Sequence, residues 1–146
     1  MLIAIGSDHA GFKLKESIKK YLKEQNIPFK DCGTHSLDRV DYPDFTLKVS
    51  DEIQSNAAQF GIIICGTGIG VSIVANKQKG IRAALCCSEY MAEMARKHNN
   101  ANVLALGGRT TSPDLAYQII RKFIETGFAG GRHQERVDKI HSLTDR

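Results

Sequence analysis

The sequence has no tryptophan, only three prolines and only four cysteines in 146 residues. The cysteines form no C-x-x-C pair and no zinc-ligand spacing with histidine, which excludes a disulfide framework and a structural zinc site. A chain of this length buries enough surface to fold without either. We therefore expect a single domain over residues 1–146 in a reducing, cytoplasmic compartment.

Long apolar runs and a strong charge of one sign are also missing. The apolar N-terminus, Met1–Ile5, lacks a basic leader and is too short to cross a membrane, so it predicts a first strand. The formal net charge is +4, and the basic residues are spread along the chain without interleaved aromatics. These features predict neither membrane nor nucleic-acid binding, and they suit a small anionic substrate.

Short apolar runs alternate with amphipathic segments along the whole chain. The strand candidates are Leu2–Gly6, Phe29–Gly33, Phe60–Cys65, Ile81–Cys86 and Val103–Gly107. Apolar residues three or four apart predict helices between them, with serine caps at Ser88 and Ser112 and a C-terminal helix carrying Val137, Ile140 and Leu143. This alternation predicts an α/β fold with a single doubly wound, Rossmann-like, parallel five-stranded sheet, helices on both faces and a C-terminal helix.

Ligands of such folds bind beyond the C-terminal ends of the strands, which directs attention to the loops over residues 6–11, 65–70 and 107–109. The strongest signal is Cys65-Gly66-Thr67-Gly68-Ile69-Gly70, where a thiol ends a buried strand and glycines open a helix. Glycines allow backbone N–H groups to converge on an anion. Val71 and the absence of Gly-Lys-Ser/Thr exclude a dinucleotide fingerprint and a P-loop. The loop therefore predicts an anion site beside a thiol.

Cys65 has two interpretations from sequence. A cysteine at the end of a strand is most often a packing residue. A thiolate beside converging amides could instead remove a proton next to a carbonyl while the amides stabilise the enediolate, and nucleophilic catalysis is a rival use.

The other polar candidates also have alternatives. Asp8 follows the first strand, where it could cap a helix or belong to the site. His98 ends a predicted helix, where a histidine often interacts only with the helix dipole. Arg132 and Arg136 share a helix face, which could be an ordinary solvated surface or could bind a phosphate between the two guanidiniums. A phosphate clamp, a base and an anion-binding loop are the minimum requirement of an aldose–ketose isomerase for phosphorylated sugars.

Eight segments in order carry a family resemblance: Gly6–Gly11, Asp41–Pro43, Ile64–Gly70, Ala75–Lys77, Gly80–Ala83, Arg96–Asn99, Asn102–Leu104 and Gly130–His133. On these segments, which span nearly the full chain, the sequence resembles type B ribose-5-phosphate isomerases. Their superfamily also includes the two galactose-6-phosphate isomerase subunits. The resemblance implies interconversion of D-ribose 5-phosphate and D-ribulose 5-phosphate, without a metal or other cofactor.

The resemblance also implies residue roles. Cys65 would be the base between C1 and C2, and Asp8 and His98 would open the sugar ring with Thr67 nearby. The implied substrate-binding residues are His9, Tyr42, Gly66, Gly68, Gly70, Ser72, Asn99, Arg109, Arg132 and Arg136.

The family's sites are shared between two subunits, which implies a homodimer or a tetramer built from such dimers. His98, Asn99 and the C-terminal arginines would then come from the partner chain. Three alternatives stay open: an allose-6-phosphate isomerase, a galactose-6-phosphate isomerase, and a non-enzymatic phosphate- or nucleotide-binding module on the same fold.

Overall fold

The computed structural model describes all residues, 1–146, as a five-stranded parallel sheet with six helices. The strands are β1 (Ile3–Ser7), β2 (Phe29–Asp31), β3 (Phe60–Cys65), β4 (Ala83–Leu85) and β5 (Val103–Gly107). The helices are α1 (Phe12–Glu24), α2 (Tyr42–Gln54), α3 (Ile69–Ala75), α4 (Glu89–Asn99), α5 (Pro113–Glu125) and α6 (Arg132–Thr144). The predicted fold class is confirmed. None of the helices has the length and hydrophobicity needed to span a bilayer.

Helices cover both faces of the sheet. Ile62 and Ile64 pack with α1, α4 and α5 on one face, whereas Ile63 and Cys65 pack with α2 and α3 on the other. Burial on both faces explains why β3 is apolar without alternation. Cys65 therefore ends the central strand on the side of the sheet that α3 covers.

The strand order is β2-β1-β3-β5-β4. After β1 the chain places β2 on one side, and it then returns to place β3 on the other side of β1. The loops that follow β1 and β3 therefore leave the sheet in different directions. Such a reversal of strand order opens a crevice at the C-terminal edge, where ligands of doubly wound sheets bind.

The strands β2 and β4 are shorter than predicted, although backbone hydrogen bonds continue past their ends, from the Cys32 N–H to the Ile5 carbonyl at 2.8 Å and from the Cys86 N–H to the Ala105 carbonyl at 3.3 Å. Beyond β2, Asp31 accepts a hydrogen bond from the Gly33 N–H at 2.9 Å, and the chain turns. Before β4, Asn102 Oδ1 accepts a hydrogen bond from the Arg82 N–H at 2.8 Å, and the paired register with β5 starts at Ala83. β1 also lies one residue later than predicted.

The predicted helix signals are confirmed. The Ser88 and Ser112 hydroxyls accept hydrogen bonds from N–H groups in the first turns of α4 and α5, at 3.2 and 3.3 Å. Helix α6 also forms, but of its predicted apolar stripe only Val137 is buried. Ile140 is 42% exposed and Leu143 is 81% exposed, so this chain leaves most of the stripe uncovered.

A buried ion-pair cluster ties α1 to the end of β2. Lys15 Nζ, which is fully buried, lies 2.6 Å from Asp31 Oδ1, and Lys19 Nζ lies 2.6 Å from Oδ2. Burial by itself would raise the pKa of Asp31. The hydrogen bonds from Lys15, Lys19 and the Gly33 N–H outweigh that effect and hold the pKa below its ordinary value.

This cluster predicts acid sensitivity. A carboxyl with a lowered folded-state pKa stabilises the fold above its ordinary pKa of 3.8, and the stabilisation is lost as the pH falls through the lower folded value. In urea titrations, we expect Asp31→Asn to lose roughly 3 kcal/mol at neutral pH, because the buried Lys15 loses its hydrogen-bonded carboxylate and keeps only Glu16 at 3.6 Å. The variant should also show a flatter decline below about pH 5 than the wild type.

Asp51→Asn is the matched control, since Asp51 is exposed and forms no ion pair. This variant should keep the wild-type dependence of unfolding free energy on pH. An Asp31→Asn protein that also kept that dependence would show that the cluster does not control acid stability.

Candidate active site

Three loops interlock at the C-terminal edge of the sheet. The Gly108 N–H donates to the Cys65 carbonyl at 2.7 Å, and the Arg109 N–H donates to the Gly66 carbonyl at 3.0 Å. Gly108 also lies against the β1 loop, where a Cβ would stand 2.6 Å from the Ala10 carbonyl oxygen. Backbone contacts therefore fix the loops after β1, β3 and β5 relative to one another.

A cleft of about 600 Å³ opens over these loops. It brings together most of the predicted site residues, although they come from distant parts of the chain. Its lining consists of Asp8, His9, Ala10, Tyr42, Cys65, Gly66, Thr67, Ile69, Gly70, Ile73 and Arg109.

Cys65 is only 5% exposed, yet its thiol reaches the cleft. Its Sγ accepts a hydrogen bond from the Gly68 N–H at 3.2 Å. Gly68 has a φ of +79°, and a Cβ there would lie 2.5 Å from Leu85 Cδ1, so the position requires glycine. An N–H facing the sulfur stabilises a negative charge on it. The residue is therefore both a packing residue and an accessible thiol.

The loop after Cys65 has unpaired donors. The backbone N–H groups of Gly66, Thr67 and Gly70 donate no hydrogen bond within the chain, although all three residues line the cleft. The Ile69 N–H is occupied by Thr67 Oγ1 at 3.3 Å. Unpaired amides at a cleft are suited to an oxyanion.

Asp8 combines a structural contact with a place in the cleft. Its Oδ1 accepts hydrogen bonds from the Ala10 and Gly11 N–H groups at 2.9 and 3.0 Å, which close the turn before α1. The turn interpretation of Asp8 is confirmed, but the predicted helix cap is not, because α1 begins after Gly11 without a side-chain cap. Its Oδ2 has no partner within the chain, and the residue is 6% exposed. One carboxylate oxygen therefore holds the loop while the other is available to a ligand.

His9 is oriented by a residue that the sequence does not reveal. Its Nδ1 lies 3.2 Å from the Val40 carbonyl oxygen and 3.3 Å from the Val40 nitrogen, so Val40 can pair with either tautomer. This contact leaves Nε2 free to bind a ligand. Arg109 adds positive charge, since its Nη1 lies 3.5 Å from where a Cβ of Gly66 would stand.

The far wall of the cleft is largely apolar. The Tyr42 ring packs over Gly70 so closely that a Cβ there would lie 2.7 Å from the ring. Sequence reasoning missed Ile69 and Ile73, whose side chains are exposed along α3. Ser72 does not line the cleft, since its hydroxyl donates to the Ile69 carbonyl at 2.7 Å within the helix.

The remaining predicted residues lie away from the cleft of their own chain, at the end of α4 and the start of α6. The His98 ring stacks on the His133 ring. Asn99 lines a separate cavity of about 380 Å³. Arg132 and Arg136 are exposed on α6. In the chain as a whole, no three His, Cys, Asp or Glu side chains cluster as metal ligands would.

Comparison with known proteins agrees with this geometry. The family model described as Ribose/Galactose Isomerase matches residues 3–140. Ribose-5-phosphate isomerase B of Escherichia coli is 43% identical over 144 residues, covering 99% of this chain and 97% of the relative. The solved ribose-5-phosphate isomerase B of Clostridium thermocellum has a TM-score of 0.97 at 50% identity, covering 99% and 98% of the two chains.

A second solved structure carries a ligand. Ribose-5-phosphate isomerase B of Mycoplasma genitalium, with bound ribulose-5-phosphate, superposes with a TM-score of 0.94 at 44% identity and covers 99% of this chain and 97% of its own. Sequence and structure thus agree over nearly the whole length, and the chain belongs to the ribose/galactose isomerase family.

Proposed function

We propose that this protein is an aldose–ketose isomerase that interconverts D-ribose 5-phosphate and D-ribulose 5-phosphate, with Cys65 as the base. The observation that carries the proposal is a thiol that opens onto a cleft, accepts the Gly68 N–H and is followed by unpaired backbone donors. The substrate is inferred from the names of relatives that match over almost the full chain, one of them solved with ribulose-5-phosphate.

The phosphate is bound at the positively charged end of the cleft. His9 Nε2 and the Arg109 guanidinium supply donors from one chain. Arg132 and Arg136, four positions apart on α6, supply two more guanidiniums from the partner chain. Guanidinium pairs bind phosphate oxygens through bidentate, charge-assisted hydrogen bonds. Pinning the phosphate fixes the distance from the reacting carbons to the thiol.

Ring opening is the first chemical step for ribose 5-phosphate. A base takes the proton of the C1 hydroxyl, an acid protonates the ring oxygen, and the bond between C1 and the ring oxygen breaks. Asp8, through its free Oδ2, and His98 of the partner chain form this acid–base pair, with Thr67 at the edge of the cleft. General acid–base catalysis contributes about 10²–10⁴-fold to such a step.

Isomerisation then moves one proton between neighbouring carbons. The Cys65 thiolate removes the C2 proton, and the electron pair shifts to the C1 carbonyl oxygen, which produces an enediolate. The N–H groups of Gly66, Thr67 and Gly70 stabilise its negative oxygen. The O2 hydroxyl proton then moves to O1, and the Cys65 thiol returns its proton to C1, which leaves a carbonyl at C2 and a hydroxyl at C1.

The active form is a homodimer with shared sites, and a tetramer would preserve those sites. Two observations support this assembly. The residues expected from the partner lie outside the cleft of their own chain. Apolar side chains are also exposed beside the cleft, on α4 and on α6: Ile69, Ile73, Tyr90, Met91, Ile140 and Leu143.

Residues 1–146 form one domain, and four free thiols fit a reducing cytoplasm.

A side-by-side assay of the purified protein tests this function. Turnover should be highest on ribose 5-phosphate, lower or absent on allose 6-phosphate and galactose 6-phosphate, and independent of any second type of chain. Preference for a six-carbon substrate would reassign the specificity. Tight nucleotide binding without turnover of any sugar phosphate would instead favour a binding module.

A further inference from the structure

Two imidazole rings are stacked face to face outside the cleft. The ring centroids of His98 and His133 lie 4.2 Å apart, and the ring planes differ by 9°. His98 is exposed and His133 is half-buried, and the stack covers one face of the His98 ring. The proposed function gives His98 a proton-transfer role but gives His133 none.

The backbone brings the two rings together from opposite helix ends. His98 lies in the last turn of α4, and His133 is the second residue of α6. The connecting segment is anchored by the Ala129 N–H, which donates to the Lys97 carbonyl at 3.1 Å. Two consecutive glycines with positive φ, Gly130 and Gly131, then turn the chain into α6. The stack is therefore built by a specific local path.

The electrostatic surroundings of the two rings differ. The C-terminal end of α4 carries a partial negative charge, and the N-terminal end of α6 carries a partial positive one. Desolvation lowers the pKa of His133, and the nearby His98, Arg132 and Arg136 lower it further. His133 is thus an uncharged planar ring at neutral pH, able to lie against a ring that exchanges a proton.

We propose that His133 is a positioning residue for His98, whose imidazole it holds by stacking in the plane required to transfer a proton to the ring oxygen of the substrate. This inference rests on the proposed function. His133 itself does not touch the reacting atoms. Its effect should therefore be confined to the step in which His98 acts.

Substrate chemistry separates that step from the rest. Ribose 5-phosphate closes into a furanose through its C4 hydroxyl and must be opened before isomerisation. Ribulose 5-phosphate stays open-chain, because its C5 oxygen is esterified and cannot close a five-membered ring on the C2 carbonyl. The initial rate with ribose 5-phosphate therefore includes the ring-opening step, whereas the initial rate with ribulose 5-phosphate begins from an open chain.

We expect His133→Ala to lower kcat for ribose 5-phosphate about tenfold to hundredfold, the cost of a misplaced catalytic group, while kcat for ribulose 5-phosphate changes less than about twofold. His133→Phe, which keeps a planar uncharged ring, should restore most of the loss. Arg136→Gln, from the same stretch of α6, is the comparison for lost phosphate binding, and it should raise KM for both substrates alike.

Three results would overturn the inference: equal losses on both substrates in His133→Ala, weaker binding of inorganic phosphate to that variant, or a His133→Phe protein as impaired as His133→Ala. The first two would assign His133 to the fold or to phosphate binding, and the third would show that its nitrogens matter. Absence of isomerase activity in the wild type would instead refute the proposed function, which separates the two failures.

Discussion

Replacing Cys65 with alanine should reduce kcat for ribose 5-phosphate by at least about 10²–10⁴-fold, because the variant loses the base of the proton transfer. The structure offers no substitute at this position. Cys65 Sγ is the only sulfur atom in the cleft, and it accepts a hydrogen bond from the Gly68 N–H. Steady-state kinetics, with a thermal unfolding curve to verify the fold, measure the effect.

Two further variants sharpen this test. Cys65→Ser keeps a polar atom in place but lacks an acidic thiol, so it should be nearly as inactive as Cys65→Ala. Cys87→Ala is the matched control, because Cys87 is exposed and lies outside the cleft. Neighbouring Cys86 stays a protonated thiol at neutral pH, since burial, with a further contribution from Cys87, raises its pKa to about 12. Near-normal turnover in Cys65→Ala would remove the thiol from the mechanism.

Mixing two inactive variants should restore activity. If each site takes Cys65 from one chain and His98 from the other, a Cys65→Ala/His98→Ala heterodimer contains one intact site and one doubly defective site. Random reassortment after mild denaturation and refolding should therefore recover about a quarter of the wild-type activity. The recovered kcat per intact site should equal that of the wild type.

A mixture of two variants that both alter residues from the same chain of a site is the control. His98→Ala mixed with Arg132→Ala should recover nothing, because both residues enter a site from the same chain and every heterodimer site is damaged. Recovery in this control, or none in the Cys65→Ala/His98→Ala mixture, would contradict shared sites.

The sequence predicts most of this fold because its signals are local. Apolar runs place all five strands and apolar periodicity places five of the six helices, whereas α3 is indicated by the glycines that open it. The continuous run Ile62–Ile64 marks the strand that is buried on both faces. The ends of β2 and β4 could not be predicted in the same way. Side-chain hydrogen bonds accompany these ends, from the Gly33 N–H to Asp31 and from the Arg82 N–H to Asn102, and the second of them spans 20 positions.

The site residues likewise fall into those that local sequence signals predict and those that depend on tertiary contacts. Residues directly after β1, β3 and β5 could be assigned to one cleft, because parallel strands end at one edge of the sheet. The contact between His9 and Val40 joins residues 31 positions apart and has no sequence signal. The apolar wall formed by Ile69 and Ile73 was hidden because helical periodicity does not distinguish a wall from a core. The stack of His98 on His133 likewise depends on tertiary packing.

The central claim, that Cys65 moves the proton, can be tested at the carbon where the proton starts. Ribose 5-phosphate carrying deuterium at C2 is incubated with enzyme and followed by NMR. The wild type should remove the deuteron from C2 and deliver it to C1 or to solvent, whereas Cys65→Ala should still bind the sugar but leave the deuteron in place. Loss of the C2 deuteron at the wild-type rate in Cys65→Ala would contradict the account.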